Sequence, residues 1–168
     1  MNIFHNKIVL ITGHTGFKGS WLAVWLEVLG ARVIGVALEP PSRPSHFEVT
    51  ELAKSIEDHR LDITDGDALK QLVSKTQPDF VFHLAAQSLV RQSYLNPVGT
   101  YKTNVLGSLN LLEALRLLEK PCTAVLITSD KCYNNVEWVW GYRETDALGG
   151  TDPYSASKGA AELVIRSH

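Results

Sequence analysis

Cysteine, methionine and unbalanced charge are all scarce in this 168-residue chain, and each shortage removes a class of protein. Its two cysteines, Cys122 and Cys132, form neither a CxxC pair nor a metal-ligand spacing, which argues against a disulfide scaffold and against a zinc module. Sixteen Lys and Arg against eighteen Asp and Glu give a net charge of −2, so there is no basic footprint for nucleic acid. Long apolar runs are missing too. Glu27, Gly30 and Arg32 interrupt the best candidate, and no membrane span is expected. The N-terminus lacks a signal peptide's basic start and cleavage site, which with the reduced cysteines gives cytoplasmic residence as the expectation. No metal is expected either. The acidic stretch at Asp62, Asp65 and Asp67 does not match a calcium loop, and Thr64 or Asp65 as a helix N-cap explains it.

What is present fits a soluble globular domain, with 45% apolar and 20% charged residues in a length that one domain accommodates. The informative stretch is residues 7–19. Ile8, Val9, Leu10 and Ile11 form a continuous apolar run, the pattern of a parallel strand buried on both faces. Gly13, Gly16 and Gly19 follow at three-residue intervals, and then Trp21, Leu22, Trp25, Leu26 and Leu29 fall at helical spacing. Glycines so spaced arise from composition alone in roughly one chain of this length in twenty. Their place between a buried strand and an amphipathic helix gives them meaning. Unpaired N–H groups and a partial positive charge at a helix N-terminus suit a pyrophosphate, and glycine lets it come close.

Further apolar runs predict strands over residues 32–38, 55–61, 80–84 and 124–128, with helices between them, so the expected fold is α/β: a Rossmann-like, doubly wound parallel sheet with helices on both faces. Gly30 is placed to stop the first helix. At the end of the second strand, where a ribose-binding acid is common, Ala37 and Leu38 stand instead, with Glu39 just beyond. Arg43 follows among prolines, either a solvated loop residue or a partner for a 2′-phosphate. Small residues after strand four leave room for a ligand, while a lone His83 reads as a satisfied core histidine. A long helical pattern over 97–118 is apolar on more than one face. Either it is sandwiched in the fold or it meets a partner, and a homodimer through the 97–118 and 153–168 helices is expected.

Ser129, Asp130 and Lys131 stand at the carboxyl end of strand five, the edge where doubly wound sheets bind ligands. Residues 132–152 lack periodicity, and a loop that long is either functional or a surface excursion whose tryptophans pack down. The last helix opens at Asp152-Pro153 and carries Tyr154 and Lys158 four apart on one face. An ammonium beside the phenol, with a nicotinamide ring, favours tyrosinate, which then takes an alcohol's proton as its hydride leaves.

With the glycine turn, the Ser129-Asp130-Lys131 strand end and Tyr154/Lys158 in chain order, the sequence resembles the extended short-chain dehydrogenases/reductases acting on nucleotide sugars. Residues 12–21, 128–133 and 137–144 are similar to the 4,6-dehydratase branch whose substrate is CDP-glucose. The resemblance implies a redox-neutral elimination with recycled NAD. Tyr154, assisted by Ser129, removes the C4 hydroxyl proton, the ketone acidifies C5–H, and water leaves C6 with Asp130 as general acid. The stored hydride then returns to C6. Lys131 stands where related dTDP-glucose enzymes carry Glu, and a lysine with a lowered pKa would serve as the C5 base.

By the same resemblance, Gly13, Thr15, Gly16, Phe17, Lys18 and Gly19 hold the pyrophosphate, and Asp62 with Ile63 lie by the adenine. Leu84, Ala85 and Ala86 line the cofactor, and Asn104 is close to the active site. Tyr154 and Lys158 serve cofactor and chemistry alike. NAD is the implied cofactor, and the missing acid after strand two leaves NADP open. Family members continue into a domain that holds the nucleotide sugar, so residues 1–168 are expected to be a partial NAD(P)-binding domain, inactive by itself. The rival readings are another epimerase or dehydratase of the superfamily and a non-catalytic dinucleotide-binding module.

Overall fold

The computed structural model describes residues 2–168. Strands β1 (Ile8–Thr12), β2 (Arg32–Ala37), β3 (Glu57–Arg60), β4 (Phe80–His83) and β5 (Thr123–Leu126) form one parallel sheet in the order β3-β2-β1-β4-β5. The order reverses at β1, so the crevice beside the carboxyl end of β1 is the switch point at which such sheets take ligands.

Alternation along the central strands supplies both layers of the core. Leu10, Ile34, Val36 and Val81 pack with Leu69, Leu72 and Val73 of helix α3 (Gly66–Thr76) and with Leu111 and Ala114 of α6 (Gly107–Leu115). Val9, Ile11 and Val33 point the other way, onto Ala23 and Leu26 of α1 (Phe17–Val28) and onto Phe47 and Leu52. Each fully buried leucine or isoleucine contributes about 1.5–3 kcal/mol relative to exposure. Strands β2 to β5 are shorter than the expected runs by one to three residues, whereas β1 extends one residue beyond its run, to Thr12.

The helix spacing read in α1 marks a helix whose packed face is not the aromatic one. Gly19, Ser20, Ala23 and Leu26 are buried, whereas Trp21 is 54% and Trp25 64% exposed. The reason is distance. A Cβ at Gly19 would collide with the carbonyl oxygen of Gly13, so only small side chains fit between α1 and the glycine turn. Gly30, at φ +77°, ends this segment as its position suggests. Asp65 caps α3, accepting from Ala68 N–H at 3.0 Å.

Two short helices escape the periodicity: α2 (His46–Val49), capped by Ser45, and α4 (Val90–Leu95). Four to six residues are too few to register a 3.6-residue period. The long pattern over 97–118 folds as α5 (Pro97–Tyr101), a π-helical turn (Lys102–Leu106) and α6, ending at Leu115. Some of its apolar surface stays open, at Val98, Tyr101, Leu106 and Leu117. A 3-10 turn spans Asp130–Cys132, and residues 133–152 are irregular apart from an isolated bridge between Tyr133 and Leu148. Trp140 remains exposed, and Trp138, also exposed, lies with its ring 5.5 Å from that of Tyr142. Helix α7 (Pro153–Ser167) then returns, its Asp152 cap accepting from Ser155 N–H at 2.9 Å. Among the described residues no helix is long and apolar enough to cross a membrane.

Candidate dinucleotide and catalytic site

The turn after β1 is held by backbone geometry. Gly13 adopts φ +80°, donates its N–H to Val36 O at 2.7 Å, and accepts from Gly16 N–H at 3.1 Å. A Cβ at Gly13 would lie 2.7 Å from Ala85 N, so the turn presses against the loop after β4. Gly16 caps α1 without a side-chain acceptor, and the first turn of α1 has no acidic residue. Its first N–H groups are therefore left for an anion.

These elements wall a cavity of about 660 Å³ at the carboxyl edge of the sheet. Gly13, Thr15, Gly16, Phe17, Lys18 and Gly19 line one end, and Asp62 and Ile63 line the side after β3. Leu84, Ala85 and Ala86 form the wall after β4, and Tyr154 and Lys158 stand on the α7 side with Ile127 and Thr128. The glycine cradle that a Cβ would fill and the open helix N-terminus fit a dinucleotide's pyrophosphate. Asp62 accepts from Thr64 N–H at 2.8 Å, so it shapes its turn as well as facing the cavity.

Not every residue expected in the site reaches it. Asn104 is buried behind the wall, and its neighbour Thr103 provides the lining. Its place in the π-helical turn lets its amide brace two elements. Oδ1 accepts from Gln87 N–H at 2.8 Å, while Nδ2 donates to Gln87 O at 3.0 Å and to Ser157 Oγ at 2.8 Å. Ser157 in turn donates to Tyr154 O at 2.6 Å, which ties the loop after β4 to the helix bearing Tyr154. Ser129, Asp130 and Lys131 also lie outside the lining. The Ser129 hydroxyl accepts from Lys131 N–H at 3.2 Å and donates to Asp130 Oδ1 at 3.1 Å, capping a 3-10 turn that carries Asp130 and Lys131 into solvent.

His83 is the satisfied core histidine its context suggests. Ser108 donates to Asn104 O at 2.8 Å, so it accepts from His83 Nε2–H at 3.0 Å. His83 Nδ1 then accepts from the Thr12 hydroxyl at 2.6 Å, and Thr12 Oγ1 accepts from Ala85 N–H at 3.2 Å. Burial, with a smaller contribution from the Lys158 charge, holds this imidazole neutral, with a pKa down to about 3. Sequence reading missed this chain of bonds, because the links made by His83 and Thr12 join residues 25 to 73 apart.

On the α7 side, Lys158 is buried and donates to Ile127 O at 3.3 Å. Burial lowers its pKa, and Glu162 one turn later opposes that shift. Glu162 also accepts from the Thr128 hydroxyl at 2.5 Å, pinning the end of β5 to α7. The arrangement therefore sets a phenol and a buried amine at the same end of a cavity whose other end is built for an anion.

A family model described as GDP-mannose 4,6 dehydratase matches residues 10–168. The chain belongs to that family. Over 97% of its length it is 53% identical to CDP-glucose 4,6-dehydratase of Salmonella typhimurium, and over 94% it is 31% identical to dTDP-glucose 4,6-dehydratase of Xanthomonas campestris. Among solved structures it is similar to the UDP-glucose 4-epimerase of Thermus thermophilus in complex with NAD, with a TM-score of 0.79 and 31% identity over 95% of the chain and 50% of that structure. The chain spans about half the length of the curated relatives it matches, 45% of the Salmonella protein and 48% of the Xanthomonas one.

Proposed function

We propose that this chain is the cofactor-binding portion of a nucleotide-sugar 4,6-dehydratase that converts CDP-glucose to CDP-4-dehydro-6-deoxyglucose and water. The observation that carries the reading is the single cavity whose lining joins the glycine turn to Tyr154 and Lys158. CDP-glucose is favoured over other nucleotide sugars by the 53% identity to the Salmonella enzyme.

Bound NAD⁺ supplies a reversible hydride acceptor that is unchanged after each turnover. The chain's own residues hold it and move protons. The α1 N-terminus and Lys18 take the pyrophosphate, and Leu84, Ala85 and Ala86 form an apolar wall. Tyr154 removes the proton of the sugar C4 hydroxyl, with the Lys158 ammonium favouring the phenolate. Ser129 assists at the same hydroxyl, Asp130 protonates the hydroxyl leaving C6, and Lys131 is the candidate base at C5. The last three lie outside the cavity lining, so their roles require substrate bound across the β5 end. A second copy meeting the open apolar surface along residues 98–117 and on α7, at Val98, Tyr101, Leu106, Leu117 and Leu163, gives the dimer, and a cytoplasmic setting in polysaccharide biosynthesis completes the reading.

A chimera tests it: residues 1–168 replace the matching portion of the Salmonella enzyme. The expected product from CDP-glucose is lighter by one water in mass spectrometry. A folded chimera that binds NAD⁺ and leaves CDP-glucose intact overturns the assignment.

A further inference from the structure

Within the glycine turn one residue turns away from the cavity: Gly13, Thr15 and Gly16 line it, and His14 does not. The His14 side chain is wholly buried and lies across β2 at Gly35, where a Cβ would come within 2.5 Å of the ring. Gly35 pairs with Ile11 of β1 on one side and with Asp58 of β3 on the other, and the ring follows that line from the end of β1 to β3. There Nε2 bonds Asp58 Oδ1 at 2.8 Å. A carboxylate only accepts, so Nε2 carries the proton, and burial lowers the ring's pKa against the pull of Asp58. Nδ1 is the only buried side-chain nitrogen or oxygen among the described residues that has no partner. The far end of the contact is held as well. Arg60 donates to the second Asp58 oxygen at 2.9 Å, its guanidinium lies 4.9 Å over the Phe47 ring, and that ring meets His14 edge-on at 5.4 Å.

Packing alone does not ask for this arrangement. An apolar side chain in the same space would avoid the desolvation of an imidazole and leave no orphaned nitrogen, and buried polar pairs rarely exceed well-packed apolar ones in stability. What the bond supplies is direction. The turn is otherwise tied down by Gly13 N–H on Val36 O at 2.7 Å and by the Thr15 hydroxyl on Leu38 O at 3.0 Å, both at the end of β2. His14 adds a third tether, to β3. We propose that His14 is a positioning residue for the dinucleotide's pyrophosphate: its Nε2–H bond to Asp58, passing over Gly35, fixes the Gly13–Gly16 turn so that the first N–H groups of α1 stay aimed at the anion. His14 touches no ligand and acts through the backbone of its neighbours. The proposal deepens the dinucleotide reading and rests on it, and it places the effect at the phosphates and not at the adenosine end.

Equilibrium titration of the 168-residue chain with NAD⁺ and ADP by calorimetry, and with adenosine by ligand-observed NMR, tests it without turnover. His14→Leu is expected to weaken NAD⁺ and ADP about tenfold or more, because hydrogen bonds to a charged acceptor are misaimed, and to leave adenosine within about threefold. His14→Gln, whose amide N–H takes the place of Nε2–H toward Asp58, is expected to bind all three within about threefold of the wild type. Asp58→Ala breaks the contact from outside the turn and is expected to repeat the phosphate-selective loss, and it carries the test if thermal melting shows His14→Leu unfolded. A folded variant without the bond that keeps wild-type ADP affinity overturns the proposal. So does an equal loss of ADP and adenosine, or a His14→Gln as weak as His14→Leu, and in each of these cases the dinucleotide site still stands. A folded wild type that binds neither NAD⁺ nor ADP overturns both.

Discussion

The two sides of the sheet are finished to different degrees. Around β1, β2 and β4 the strands are largely buried, and the glycine turn, the Thr12–His83–Ser108–Asn104 chain and the Asn104 brace leave little freedom. Along β5 three of four residues are exposed, the outer edge is unpaired among the described residues, and the strand end runs into an irregular segment with open tryptophans. Both sides present residues at the same carboxyl edge. The cofactor side is preorganised by its own backbone, whereas the side carrying Ser129, Asp130 and Lys131 is held to α7 by the Thr128–Glu162 and Lys158–Ile127 bonds and by the packing of buried Cys132 against Gly159. Cofactor binding and chemistry should therefore separate cleanly under mutation.

The largest separation is expected from Tyr154→Phe in the chimera. Turnover of CDP-glucose should fall by roughly two to four orders of magnitude, while NAD⁺ affinity measured by titration stays within a few-fold. Gly13→Ala should do the opposite. At φ +80° and against Ala85 N, the added methyl should cost about 2 kcal/mol or more in urea unfolding and abolish dinucleotide binding.

Acid probes the cofactor side by another route. His83 is held neutral to about pH 3 and His14 is shifted down by burial, whereas both take up a proton near pH 6.5 once unfolded. Between these values the unfolded chain binds more protons, so stability is complete above about pH 7 and falls as pH drops. The limiting slope is about 1.4 kcal/mol per pH unit for His83, and His14 adds to it in the same direction. His83→Gln should remove its share of that slope in melts between pH 6.5 and 5, above the range in which the lowered carboxylates Asp79, Glu57 and Asp152 titrate.

On the β5 side the effects shrink. Thr128→Val removes the hydroxyl bonded to Glu162 and should cost about 1 kcal/mol, with faster amide exchange confined to the end of β5. Trp25→Gln, on the exposed face of α1, should change stability by less than about 0.5 kcal/mol.

The same contrast explains what could be read from the chain. Local patterns carried much of the cofactor side, since strand, glycine turn and helix follow one another over residues 8–28, and Gly13, Ala85, Tyr154 and Lys158 reach the cavity, as does Lys18, which the resemblance implied. Periodicity alone misplaced the face of α1, because it marks where apolar residues recur and not how closely the helix must approach Gly13. Asn104 was legible as a neighbour of the site but not as a brace. That role depends on Gln87 and Ser157, which only the fold brings to it. Ser129 falls outside the cavity because its hydroxyl caps the following turn, a local bond that strand-end position does not reveal.

We propose that the cavity beside β1 binds a dinucleotide through the residues that line it. Calorimetric titration of the wild-type chain and of Gly13→Ala with NAD⁺ tests it most directly. The account predicts saturable one-to-one binding by the wild type that the variant loses. No saturable binding by a wild-type chain whose melt shows it folded would contradict it.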